Sequence, residues 1–142
     1  MEKESIRKEA IISIISTQGD DGAVEVVTAG SFYKEDGYYY ATYEETEASG
    51  MEDTNTTLKI NETGFSLIRE GSISTKMNFE RNKEDDILYS TPHGGLSLKI
   101  RTKSIKIDIG DFGGEIKVEY DMSAMGQPPL ETKLTAKITI KE

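Results

Sequence analysis

The sequence predicts an all-β domain, an antiparallel up-and-down barrel or sandwich of nine or ten short strands. Three observations carry that expectation. Ile, Val, Thr, Tyr and Phe make up 45 of the 142 residues, whereas Ala and Leu together supply 14. Branched and aromatic side chains suit a pleated, half-buried surface, and Ala and Leu suit helices. Apolar and polar residues alternate through most of the chain, the period of a strand with one face in the core. Turn residues recur every 8 to 15 positions between these alternating runs. At 142 residues a single core is expected, hence one domain over 1–142.

The elements follow in order. Gly19-Asp20-Asp21-Gly22 separates a first strand near 6–17 from a second near 23–34. Glu35-Asp36-Gly37 is a hairpin signal, because Asp-Gly tolerates the positive backbone angles of a tight turn. A third strand spans about 38–45, and 46–53 reads as a loop. Asn61-Glu62-Thr63-Gly64 and Glu70-Gly71 bound strands near 54–61, 65–70 and 72–80, and Arg81 to Asp86 reads as a charged loop. Pro92-His93-Gly94-Gly95 is a further turn, Asp111-Phe112-Gly113-Gly114 precedes a strand near 115–124, and Gly126-Gln127-Pro128-Pro129 breaks the chain before a last strand near 131–141.

Alternation assigns faces. Leu134, Ala136, Ile138 and Ile140 point inward on the last strand, as do Ile116, Val118, Tyr120 and Met122, and Ile73, Thr75, Met77 and Phe79. Two places break the rule. The inward set Leu96, Leu98, Ile100, Thr102 gives way to Ile105, Ile107, Ile109, so parity slips at Lys103-Ser104 and predicts a β-bulge or a bend. Arg69 shares parity with Phe65 and Leu67, which turns a guanidinium into the barrel, where it needs an anionic or multiply accepting partner.

Composition excludes several functions. The formal net charge of -9 argues against nucleic acid and anionic membranes as partners. With no cysteine and one histidine, His93, thiol chemistry and multi-histidine metal sites are excluded, and no cofactor or metal is expected. The N-terminus lacks the pattern of a secretory signal and no run is long enough for a membrane helix, so a cytoplasmic location is expected. No catalytic constellation emerges. His93 sits in a turn, and Glu44 and Glu45, adjacent on a strand, point to opposite faces and read as a solvated edge. Asp20-Asp21 and Asp85-Asp86 lack calcium-loop spacing, and the glycines near 110–114 lack phosphate-loop spacing. The chain is not expected to be an enzyme.

Two surface features remain. Lys99, Arg101 and Lys103 form a basic stripe on one strand face, either a receptor for anions or, as expected, a solvated face that discourages edge-to-edge pairing. Phe32, Tyr33, Tyr38, Tyr39, Tyr40 and Tyr43 cluster on the second hairpin, with Tyr38 and Tyr40 on one face and Tyr39 and Tyr43 on the other. Core packing is the expected role of the cluster, and the alternative for the outer set is a partner surface or a cover over an open barrel end.

An ordered series of segments carries a family resemblance: Tyr43-Glu44-Glu45, Thr57-Leu58-Lys59-Ile60, Ile68-Arg69-Glu70-Gly71, Lys76-Met77-Asn78-Phe79, Tyr89-Ser90-Thr91-Pro92-His93-Gly94, Thr102-Lys103-Ser104-Ile105 and Ile116 to Met122. Together they resemble the YwiB family of small bacterial proteins, a domain of unknown function. The resemblance implies a calycin-like barrel of eight to ten strands, the architecture of lipocalins and fatty-acid-binding proteins, and brings no activity with it. Where a glycine is expected shortly after Phe79 this chain has Glu80-Arg81-Asn82-Lys83, and without tryptophan it lacks the Gly-x-Trp signature of lipocalins.

The leading expectation is therefore a non-enzymatic barrel that binds a small amphipathic or anionic ligand inside. Arg69, Phe65, Leu67, Met77, Phe79, Tyr89 and Tyr120 are the candidate binding residues. The alternative is a barrel filled by its own side chains that acts as an interaction or regulatory module and a homodimer. A cavity of roughly 300 Å³ or more separates the first from the second.

Overall fold

The computed structural model describes residues 7–19, 22–45, 53–124 and 127–141. Ten strands account for nearly all of them: β1 (Lys8–Gln18), β2 (Val24–Glu35), β3 (Tyr38–Glu44), β4 (Thr54–Ile60), β5 (Gly64–Gly71), β6 (Thr75–Glu80), β7 (Glu84–Thr91), β8 (Gly94–Gly110), β9 (Gly113–Ala124) and β10 (Leu130–Ile140). They form one antiparallel sheet in the order β6-β5-β4-β3-β2-β1-β10-β9-β8-β7. Chain neighbours are sheet neighbours almost throughout, and β1 against β10 joins the two ends of the chain.

The sheet curls until its outer strands meet. β6 and β7 share a single bridge, in which Ser74 and Ser90 exchange both backbone hydrogen bonds at 2.9 Å. Lower down, the Asp85 carboxylate accepts from the backbone N–H of Asn78 at 3.1 Å and from its side chain at 3.2 Å. The barrel is thus nearly closed, with one seam where side chains replace a ladder. Full closure would remove the exposed edges that make strands associate; here Glu84 and Asp86 put charge on the edge instead.

Local chemistry explains the turns. Asp36 and Gly37 both have positive φ, 52° and 85°, the type I′ geometry whose twist matches the flanking strands. Asn82 takes the left-handed conformation at φ 62°, in the loop where the family resemblance leads one to expect glycine, since asparagine tolerates it better than other side chains. The parity slip is a bulge. Thr102 pairs with Tyr120 and Ser104 with Glu119, so Lys103 is the extra residue, and Ile105, Ile107 and Ile109 return to the inner face.

Two boundaries and one face assignment differ here from the sequence reading. The charged loop ends at Lys83, because Glu84 to Asp86 already pair with Arg101, Ile100 and Lys99 across β8. The strand expected from 72 begins at Thr75. Leu96, assigned to the inside, is 52% exposed because it stands at the barrel's rim. Asp20, Asp21 and positions 46–52 of the expected loop lie outside the described residues.

The inner face divides along the barrel axis. One half is packed solid by Ala10, Ile12, Phe32, Ile60, Phe65, Phe79, Ile116 and Ile138, all at most 4% exposed. Phe65 stacks on Phe79 at 4.8 Å, and Phe79 meets Tyr120 at the same distance in a tilted contact. Small residues make room for the rings. A side chain on Gly30 would lie 2.3 Å from the Thr42 carbonyl and 2.5 Å from Ile12, so only glycine fits beneath Tyr43. The other half is lined by a mixture of apolar and polar side chains.

Candidate functional site

Two cross-strand rows meet in that second half. Across β3, β4, β5 and β6 the register aligns Tyr43, Thr56, Arg69 and Thr75. Across β10, β9 and β8 it aligns Thr132, Tyr120 and Thr102. Tyr43, Thr56, Thr75, Thr102, Tyr120 and Thr132 are buried, and the Arg69 side chain is only 15% exposed. The strands that predict an apolar interior therefore also carry a polar belt around it.

Above the belt lies a cavity of about 460 Å³, open where β1, β5, β7 and β9 finish and where β2, β8 and β10 begin. Its apolar wall includes Leu67, Met77, Ile87, Leu98, Met122 and Leu134, and its polar groups are Ser16, Gln18, Arg69, Tyr89, Tyr120 and Thr132. Val24 and Leu96, each about half exposed, stand at the mouth. Five of the seven candidate residues thus converge: Arg69, Leu67, Met77, Tyr89 and Tyr120. Phe65 and Phe79 do not reach the cavity; they belong to the packed half, Phe79 supporting Tyr120 from behind.

Arg69 points inward, as its parity requires, and its partner comes from the chain. Glu45 Oε2 lies 3.8 Å from Arg69 Nε, and the Glu45 side chain is 2% exposed. The expectation of a solvated edge at Glu44-Glu45 is corrected for Glu45. Alternation does send the two carboxylates apart, but it leaves Glu44 in solvent and turns Glu45 into the barrel just beyond the end of β3. Thr56 donates a short hydrogen bond to the same Glu45 oxygen. The Tyr43 phenol is pushed above its ordinary pKa by burial first and then by the Glu45 charge. Burial also raises Tyr120 to about 12, against the lowering effect of Arg69, so both phenols are neutral at physiological pH.

Four buried polar atoms have no hydrogen-bond partner among the described residues: Arg69 Nε and the hydroxyls of Thr75, Thr102 and Thr132. Each costs about 1–3 kcal/mol relative to a satisfied group. Stability alone would favour valine at such threonine positions, which have the same shape without the hydroxyl.

The other sequence candidates are elsewhere. His93 is exposed in the β7–β8 turn, and its backbone N–H donates to Thr91 Oγ1 at 3.1 Å. Lys99 and Arg101 lie opposite Asp86 and Glu84, and Lys103 pairs with Glu131 at 2.7 Å and Asp121 at 3.3 Å, so acids interleave the basic stripe. On the second hairpin Tyr39 stacks inward on Phe32, whereas Tyr33, Tyr38 and Tyr40 cluster outside with Arg7 over Tyr33 and Lys59 over Tyr38. No cluster of metal-ligating side chains occurs among the described residues.

Fold and cavity define an open-ended antiparallel β-barrel with an amphipathic interior. The sequence matches the domain of unknown function DUF1934 over residues 10–135, and the chain belongs to that family. It is 29% identical over 110 residues to the uncharacterized β-barrel protein YwiB of Bacillus subtilis (strain 168), covering 78% of this chain and 76% of the relative. The crystal structure of the Bacillus subtilis ywiB protein superposes with a TM-score of 0.83 at 23% identity, covering 96% of this chain and 94% of the other. The barrel expected from alternation and from the resemblance is thus the fold of the family.

Proposed function

We propose that this protein is a non-catalytic cytoplasmic carrier or sensor whose barrel takes up a small amphipathic molecule. The observation that carries the reading is the cavity itself. At about 460 Å³ it falls within the range of small-molecule sites, in a barrel whose other half is occupied by buried Phe and Ile side chains. An apolar wall would hold the body of the ligand, and the convergent polar groups at Arg69, Tyr120 and Thr132 would orient its head. Such a division between apolar area and a few placed polar groups is what small-molecule sites share. The spare hydroxyl of Thr132 and the internal guanidinium of Arg69, both in the cavity wall and costly for folding, also make sense as recognition groups.

The interaction-module reading is supported less well. Two of the three outer tyrosines it would use, Tyr33 and Tyr38, already have cationic partners in the chain, and the basic stripe is interleaved with acids.

A Met122→Trp variant tests the carrier reading. The chain has no other tryptophan, so energy transfer from that indole to the neutral dye N-phenyl-1-naphthylamine reports a dye inside the barrel. Saturable transfer, lost when the bulkier Leu67→Phe/Met122→Trp pair narrows the cavity, is expected. Dye binding that ignores the filled cavity, or no binding at all, refutes the proposal.

A further inference from the structure

Arg69 is the one charged side chain lining the cavity among the described residues. Directly behind it, outside the lining, stands Glu45, almost fully buried and 3.8 Å from Arg69 Nε. We infer that the head group this cavity accepts is uncharged and hydrogen-bonding, a hydroxyl, ester, amide or ketone on an apolar body, because Glu45 already balances Arg69. The inference rests on the ligand-binding reading and names the ligand class of the same site.

The argument is electrostatic. A carboxylate brought to Arg69 would come close to Glu45 as well, and Glu45 at 2% exposure is only weakly screened by solvent. One cation would then face two anions in a low-dielectric pocket, and the second anion would lose its hydration for little net attraction. Glu45 is also fixed in place, since Thr56 bonds its carboxylate and the buried Tyr43 phenol faces it. The remaining polar wall consists of Ser16, Gln18, Tyr89, Tyr120 and Thr132, all neutral groups that can donate or accept. That set suits a head with hydroxyl or carbonyl oxygens and gives no compensation to a full charge.

The test is displacement of N-phenyl-1-naphthylamine by two competitors that share a ten-carbon chain, 1-decanol and decanoate, at neutral pH. With the wild-type protein, decanol is expected to displace the dye at a concentration at least tenfold lower than decanoate. Glu45→Gln leaves Arg69 uncompensated, so decanoate should gain tenfold or more while decanol changes little. Glu45→Gln/Arg69→Met removes both charges and should return decanoate to its wild-type weakness. Wild-type protein that prefers decanoate overturns the inference and leaves the carrier reading standing; this comparison needs no variant to fold. An unchanged decanoate affinity in a folded Glu45→Gln protein also overturns it. Failure of the dye to enter the wild-type barrel overturns the carrier reading itself.

Discussion

Removing Arg69 should damage this protein more than removing Glu45, and removing both should cost least. Arg69→Ala strands a carboxylate whose side chain is 2% exposed. At a separation near 4 Å and an effective dielectric constant near 20 the lost attraction is about 4 kcal/mol, in line with the roughly 3–5 kcal/mol typical of breaking a buried pair. Glu45→Gln leaves the more accessible partner, and the glutamine can still accept from Thr56, so about 1–3 kcal/mol is expected. Arg69→Met/Glu45→Gln leaves two neutral groups of similar volume and should lie within about 1 kcal/mol of wild type. Urea unfolding followed by circular dichroism measures all four states. With a slope of about 2 kcal/mol per molar, Arg69→Ala should lower the midpoint by roughly 2 M. An Arg69→Ala loss below about 1 kcal/mol, or a double variant as unstable as Arg69→Ala, would refute the account of a desolvated, mutually compensating pair.

Three further expectations follow from the same geometry. Tyr43 and Tyr120 both have folded pKa values above the unfolded value near 10, so the folded state keeps their protons longer. Their contribution is intact below pH 10 and is lost as pH rises toward 12, by about 1.4 kcal/mol per pH unit for each phenol; Tyr120→Phe should flatten the decline in thermal melts by about half. Gly30→Ala should cost about 1–3 kcal/mol by chemical denaturation, because the new methyl meets the Thr42 carbonyl and Ile12 in a packed layer; a neutral result would mean that β2 and β3 can separate freely. Hydrogen exchange should be faster in β6 than in the central strands β1 and β10. Asp85→Ala should accelerate it further around Asn78, since that carboxylate replaces part of the missing ladder; uniform protection across the sheet would contradict the seam.

Much of this architecture is legible in the sequence, for a simple reason. A period of two fixes the face of every residue on a strand, so the inner sets on β6, β9 and β10 follow from counting. The same counting turns Arg69 inward and finds the bulge at Lys103, because one extra residue must flip parity. Counting fails where partnership is non-local. Glu45 reads as surface beside Glu44, and nothing near it in sequence signals that Thr56 and Arg69 close around it. Alternation carried through residue 45 turns it inward, on the same face as Tyr43, and that is the one local signal of its burial. Thr132, Met122 and Leu98 line the cavity for a similar reason. Their faces are legible, but a volume left empty between facing strands depends on side chains from eight of them. The seam is invisible too, since β6 and β7 carry the patterns of paired strands.

The carrier reading meets its most direct test in native mass spectrometry of the protein expressed in a bacterial cytoplasm, set against its denatured mass. The account predicts an adduct of one defined mass, small enough for a cavity of about 460 Å³, that is lost on denaturation and absent from the narrowed-cavity variant. A clean polypeptide mass under native conditions, together with a melting temperature that neutral amphiphiles leave unmoved, would contradict it.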